Sequence, residues 1–253
     1  MAKVAVFDSG LGSLSIIKPI QHKVKSDIIY FADQKNFPYG TKSKLHLKRI
    51  IEKTIIKLKK KFNPDLIVIG SNTPSILLKN ILKKRKVVGV LPPLKEAVKS
   101  TRSDSIAILT TKSVVKSISL KNYVKNNVQN STKVIIINAS PLVELVESIQ
   151  FVIDKNICEK TIRKLLFEAF KKNNVDVATL SSTHLPFLLP MLKKIFPNVI
   201  FLDPANTVAN EIARVIRKKK SVKNTIKIFA SGNVALFQKK LHQIGFNYRV
   251  RSL

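Results

Sequence analysis

Nine short apolar runs punctuate the chain: VAVF (4–7), IIYF (28–31), LIVI (66–69), VVGVL (87–91), IAIL (106–109), VIII (134–137), VATL (177–180), VIFL (199–202) and IKIFA (226–230). Their apolarity is continuous rather than alternating, which predicts strands covered on both faces. Helical patterns lie between them. Over residues 43 to 62, Leu47, Ile50, Ile51, Thr54, Ile55, Leu58 and Phe62 fall near one face with Lys and Arg opposite. The β-α alternation runs the length of the chain and predicts an α/β class with doubly wound parallel sheets. Pro19 falls inside the first helical pattern, LSIIKPIQ, where it should kink or shorten the helix. Two proline breaks, Pro92-Pro93 and Asp203-Pro204, interrupt the alternation.

One motif is written twice. Gly70-Ser71-Asn72-Thr73-Pro74-Ser75 follows DLIVI, and Ser181-Ser182-Thr183-His184-Leu185-Pro186 follows DVATL. Asn63 to Asn174, Asp65 to Asp176 and Ser71 to Ser182 all keep one spacing of 111 residues, the mark of a duplicated α/β unit. In each copy an apolar run ends in small polar residues and a helical pattern follows. The polar side chains therefore belong at a strand's carboxyl end, where open parallel sheets bind ligands.

Three further stretches fill out the pattern. Asp8-Ser9-Gly10-Leu11-Gly12 follows the first strand, Pro38-Tyr39-Gly40-Thr41-Lys42-Ser43 precedes the second helix, and Ser140-Pro141-Leu142-Val143-Glu144-Leu145-Val146-Glu147 lies between the repeats. With the two repeats, in this order and over most of the chain, they resemble glutamate racemase of the aspartate/glutamate racemase family. The resemblance implies two similar lobes related by a pseudo-two-fold duplication, with a ligand cleft between them. Residues 1–92 plus 205–253 would form one lobe and 93–204 the other. It also implies cofactor-independent interconversion of L- and D-glutamate, with a homodimer compatible. In the family, cysteines carry the transferred protons at the positions of Ser71 and Ser182, and Ser140 occupies a third position where the family often has cysteine. Asp8 corresponds to the family's carboxylate beside the first thiol, His184 to its imidazole beside the second, and Glu147 to a further acidic residue of that half.

The chemistry of the residues can be read beside the resemblance. A racemase must hold a base on one face of Cα and an acid on the other, because the α-proton of an amino acid is very weakly acidic. A thiol of pKa ~8.5 can be tuned to that task. A serine hydroxyl lies at least ~5 units higher, so alkoxide formation costs about 7 kcal/mol more at ~1.36 kcal/mol per unit. Turnover is therefore expected to be impaired unless Asp8 and His184 serve as the proton reservoirs. Ser9, Tyr39, Gly40, Asn72, Thr73 and Thr183, with Asp8 and His184, are expected to bind the substrate's carboxylates and ammonium. The residues themselves specify only a small zwitterion or acid, so glutamate and aspartate both fit. Two alternatives remain: an inactive amino-acid-binding or regulatory protein on a racemase fold, and an acyl-transfer enzyme using Ser182, His184 and Glu147 as nucleophile, base and orienting acid. Taken singly, Asp8 would suit a helix cap, His184 a core imidazole and Glu147 a solvated helix face.

Composition narrows the remaining choices. With 253 residues and 45% hydrophobic content, the chain can bury one large core or two ordinary ones. No apolar run reaches the ~18 residues that span a bilayer, and the start MAKVAVFDSG lacks a signal peptide's apolar core, so a cytoplasmic protein without membrane association is expected. The 46 Lys and Arg against 15 Asp and Glu give a net charge of +31, which admits non-specific polyanion or nucleic-acid binding. The clusters KKRK (83–86) and RKKKSVK (217–223) have no interleaved aromatics, so base stacking is not indicated. Four His and one Cys are dispersed without ligand spacing, and no metal is expected. Gly10 and Gly12 lack the third glycine of a dinucleotide fingerprint, and no cofactor is implied. Cys158 is expected half-buried on a helix.

Overall fold

The computed structural model describes residues 2–83, 86–128, 131–216 and 223–253. All nine apolar runs are strands, and a tenth closes the described chain. They are β1 (Lys3–Asp8), β2 (Asp27–Ala32), β3 (Leu66–Ile69), β4 (Val87–Gly89), β5 (Ser105–Thr110), β6 (Lys133–Asn138), β7 (Val177–Leu180), β8 (Ile200–Leu202), β9 (Thr225–Ala230) and β10 (Val250–Ser252). Every strand pair is parallel. The chain divides into two compact units, Met1–Val90 with Ala205–Leu253, and Leu91–Pro204.

The first unit holds the sheet β10-β9-β2-β1-β3-β4 and the second the sheet β6-β5-β7-β8. The run β2-β1-β3-β4 repeats the strand order of β6-β5-β7-β8, so the sequence repeat is also a repeat of topology. Its outlying residues have structural tasks. Asn63 and Asn174 both adopt left-handed backbone, at φ 44° and 49°, after the helices Lys44–Phe62 and Lys155–Lys172. Asn tolerates that conformation better than most residues. Asp65 accepts the N–H of Lys3 at 3.0 Å. Asp176 accepts from the N–H groups of Arg102 and Ser103 at 2.6 and 3.0 Å and from the Thr101 hydroxyl at 2.6 Å. In each unit this aspartate ties the start of the third strand to the start of the first.

Strands β2, β3, β5 and β7, all inside their sheets, are buried throughout and β1 is buried beyond Lys3. Edge strands vary: the run VIII in β6 is only partly buried, while β4 is buried throughout. Helix Lys44–Phe62 begins where the Ser43 hydroxyl accepts the His46 N–H at 3.3 Å. It buries Leu47, Ile50, Ile51, Thr54, Ile55 and Leu58, while Phe62 is half-buried. Each fully buried aliphatic side chain there contributes about 1.5–3 kcal/mol. A charge at Ile51, which has no exposure, would break the contact with the sheet.

Pro19 divides the first helical pattern into a 3₁₀ segment, Gly12–Ile16, and an α segment, Ile17–Lys23. Pro19 thus sits in the first α turn, where a missing N–H is least costly. Cys158 is fully buried rather than half-buried, because it sits on the inner face of Lys155–Lys172 with Ile162, Leu166 and Phe170. Burial, and then Asp154, push its thiol pKa up. Most of the basic clusters at 83–86 and 217–223 lies outside the described residues. Among the described residues no helix is long and apolar enough to cross a membrane.

Candidate active site

Sheet topology selects one place in each unit. From β1 the chain moves to β2 on one side and returns to β3 on the other, so the order reverses between β1 and β3. A crevice opens at such a switch point, beyond the carboxyl ends of the two strands. Asp8 ends β1 and Ser71 follows β3. In the second unit the reversal lies between β5 and β7, and Ser182 follows β7.

In the first unit, Phe7 pairs with Ile69, and the Gly70 N–H donates to the Phe7 carbonyl at 2.8 Å. Glycine is required at position 70, since a Cβ there would lie 2.4 Å from the Ser13 Cβ. This close approach brings the first turn after β3 against the segment after β1. Asp8 is fully buried and accepts the Ser9 N–H at 2.6 Å, with the Ser9 hydroxyl at 3.5 Å.

Ser71 is half-buried at the start of helix Asn72–Leu77, in extended backbone, and its hydroxyl does not cap that helix. Its carbonyl is held by the Ser75 hydroxyl at 2.7 Å, and Ser75 in turn accepts the Val90 N–H at 3.0 Å. No hydrogen bond joins Ser71 to Asp8 among the described residues. Asn72 and Thr73 are buried. The Asn72 amide donates to the Val90 carbonyl at 2.9 Å, while its Oδ1 is buried with no partner among the described residues. Such an orphaned acceptor costs stability unless a donor reaches it.

Tyr39 is buried in the 3₁₀ turn Tyr39–Thr41, and Gly40 beside it is half-buried. The Tyr39 hydroxyl donates to Asp33 Oδ2 at 3.1 Å. Burial, then the charges of Asp33 and Asp8, raise its pKa well above the ordinary phenol value. Asp8 and Tyr39 therefore share one electrostatic environment. Asp33 also accepts from both-sided contacts of the Asn36 amide and from the Ser231 hydroxyl at 3.1 Å. Asp33 and Ser231 position Tyr39 and are absent from the sequence-based set. They follow β2 and β9 at their carboxyl ends, so the rule that singled out Asp8 and Ser71 would have found them too.

In the second unit, Ser182, Thr183 and His184 form the turn between β7 and the 3₁₀ segment Leu185–Leu188, all buried. Glu147 ends the helix Ser140–Glu147 and is also buried, with 7% exposure, which excludes the solvated-face alternative. The His184 Nε2 lies 2.7 Å from Glu147 Oε1, and the Ser182 hydroxyl lies 3.5 Å from His184 Nδ1. Hydroxyl, imidazole and carboxylate form one chain along which a proton can pass. Ser140 stands apart from it: its hydroxyl accepts the Lys112 N–H at 3.0 Å and ties two helices together. No group of three or more His, Cys, Asp or Glu suited to a metal ion occurs among the described residues.

The chain is 31% identical over 238 residues to glutamate racemase from Buchnera aphidicola, a match covering 87% of this chain and 88% of that one. No family model matches. The fold is that of glutamate racemase isoform RacE1 from Bacillus anthracis, with a TM-score of 0.87, 22% identity and coverage of 100% of this chain and 97% of that one. It is also that of Escherichia coli glutamate racemase, solved in complex with L-glutamate and the activator UDP-MurNAc-Ala, with a TM-score of 0.85, 24% identity and coverage of 100% and 98%.

Proposed function

The chain belongs to the glutamate racemase family, and from that premise we propose that it binds glutamate and moves the proton at Cα without a cofactor, slowly, through hydroxyls in place of thiols. The observation that carries the proposal is the buried chain Ser182, His184, Glu147. A serine hydroxyl alone is a poor proton carrier, but an imidazole in reach, oriented by a carboxylate, can take and return its proton. Two-sided transfer requires one carrier for each face of Cα, and this reading gives one role to Ser71 and the other to Ser182. Asp8 supplies the carboxylate of the Ser71 side, and the Asn72 Oδ1 accepts a donor from the substrate, whose ammonium is the group of matching chemistry. Aspartate is the competing substrate, because the same donors and acceptors fit either acid.

One observation favours a second reading, a protein that binds the amino acid without turning it over. The Ser71 hydroxyl has no base in hydrogen-bond contact among the described residues, in contrast to Ser182. Acyl transfer through Ser182 is less well supported, since the racemase family accounts for Ser182 and His184 and the sequence contains no GxSxG elbow.

The deciding experiment follows loss of the α-proton signal of L- and D-glutamate, then of L- and D-aspartate, by NMR in deuterated buffer. Slow exchange that His184→Asn abolishes is expected. Exchange undiminished in that variant would exclude the relay, and saturable binding without exchange would establish the second reading.

A further inference from the structure

A cavity of about 480 Å³ in the first unit is lined by Lys35, His46, Arg49, Lys53 and Lys57, with Asp33 also in its wall. Its cations come from two elements. His46, Arg49, Lys53 and Lys57 recur at spacings of three, four and four along helix Lys44–Phe62, and so form a single stripe on it. Lys35 enters from the short turn Gln34–Asn36, whose position is fixed by a hydrogen bond from the Lys35 N–H to the Ser231 hydroxyl at 3.1 Å. Lys57 is held with its ammonium 5.4 Å from the centre of the Phe31 ring, which also lines the cavity.

The charges of this lining are not compensated. Asp33 is already engaged by Asn36, Tyr39 and Ser231 and is 4% exposed. None of the five cationic side chains forms an ion pair among the described residues. Where an acid is within reach this protein does form one, as Lys194 does with Glu159 at 2.7 Å. Leu253 closes the apolar side and packs on the core beneath the helix. Even if a carboxylate is counted at that residue, the four Lys and Arg side chains exceed the acids. Another cavity, of about 710 Å³, lies beside Lys18, His22 and Lys23, but it has fewer cations and no arginine.

We propose that the cavity beside helix Lys44–Phe62 binds a small anion carrying two or more phosphoryl groups. Its volume is that of an ordinary small-molecule site. Arg49 can grip phosphoryl oxygens with two parallel N–H bonds, and the lysines supply point charges around them. A concave site with cations converging from two elements suits a compact ligand. An extended nucleic-acid strand would call for a longer track and stacking partners, whereas Phe31, which lines the cavity from β2, is buried with the Lys57 ammonium over its ring. The proposal is independent of the reading of the racemase site.

The test is calorimetric titration of the full chain with inorganic triphosphate, inorganic phosphate and a single-stranded oligonucleotide. Three proteins are compared: the unaltered chain, Lys35→Gln/Arg49→Gln/Lys53→Gln, and a charge-matched control, Lys160→Gln/Lys164→Gln/Lys171→Gln, on exposed positions of Lys155–Lys172. All six side chains are exposed, so both triple variants should fold, which circular dichroism checks. Saturable one-to-one binding of triphosphate is expected, at least tenfold tighter than that of phosphate. The cavity variant should weaken it by ten- to a hundredfold and the control by less than threefold. Equal losses in the two variants would reduce the effect to net charge and overturn the proposal. So would a protein that holds the oligonucleotide yet shows no saturable uptake of triphosphate.

Discussion

Restoring thiols one at a time should unequally accelerate proton exchange at Cα. The pKa gap between a serine hydroxyl and a thiol is at least ~5 units, about 7 kcal/mol, or about five decades of rate if the full cost of the alkoxide is borne. The surroundings of the two serines divide that cost differently. The Ser71 hydroxyl has no partner among the described residues, so Ser71→Cys should recover most of the five decades. Ser182 lies 3.5 Å from His184, itself 2.7 Å from Glu147. A positioned general base is worth about two to four decades. Ser182→Cys should therefore gain only the remaining one to three. If each carrier serves one face of Cα, each substitution should accelerate exchange from one enantiomer of glutamate more than from the other. The assay is initial-rate loss of the α-proton signal from L- and D-glutamate separately, in deuterated buffer, for both single variants and the double. A folded Ser71→Cys protein that speeds neither enantiomer by more than tenfold would refute the reasoning, because Ser71 would then not be the carrier whose acidity limits the rate.

Tyr39→Phe removes the hydroxyl that donates to buried Asp33 and should cost about 1–3 kcal/mol in urea unfolding, together with a raised KM for any exchange detected. Asp176→Ala strips three donors near the start of β5 and should cost about 2–4 kcal/mol in the same assay, since bonds to a charged acceptor are worth about 1.5–3 kcal/mol each and are not additive. Burial would raise the Asp176 pKa, but the Thr101, Arg102 and Ser103 bonds outweigh it and hold the pKa below the usual carboxylate value. Its contribution should therefore be present above the unfolded carboxylate pKa of ~3.9 and be lost as pH falls through the lower folded value. Acid titration of Asp176→Asn should lack that component. Tyr123, whose hydroxyl donates to the Pro92 carbonyl at 2.9 Å, is pushed by burial to about 12. The stability it adds should be full below the unfolded phenol pKa of ~10 and fade as pH rises through about 12. Tyr123→Phe should abolish that alkaline component and cost about 1 kcal/mol at neutral pH.

The fold was legible where burial on both faces writes a continuous apolar run, and less so at its edges. Strands β1, β2, β3, β5 and β7 each carry four or more consecutive buried residues, and their shortness and β-branched side chains mark such runs as strands rather than buried helix. Strand β10 was missed because two of its three residues, Arg251 and Ser252, are exposed; it joins the sheet through pairing with β9 rather than through burial. At the candidate site, polar residues after strands were readable as a class, and Ser182, His184 and Glu147 were grouped from the sequence, but the contrast with Ser71, which has no comparable contact among the described residues, was not readable. Ser71 and Ser182 occupy equivalent places in the repeat, yet only Ser182 has an imidazole at hand, and the carboxylate that orients that imidazole comes from position 147, on a helix 37 residues earlier. Contacts at such separations are set by how the intervening helix Lys155–Lys172 packs, which local pattern does not encode. The same holds for Asp33 and Ser231, 198 residues apart in the chain and joined because β9 pairs with β2. A duplicated fold thus supplies two equivalent strand ends, and the chemistry that distinguishes them comes from a position where the two copies differ, His184 standing where the first copy has Thr73, and from Glu147 outside the repeated motif. Any functional asymmetry between Ser71 and Ser182 should accordingly follow Glu147 and His184 rather than what the two copies share. Glu147→Gln should reduce the difference between the two single-cysteine variants, since it loosens the base that favours Ser182.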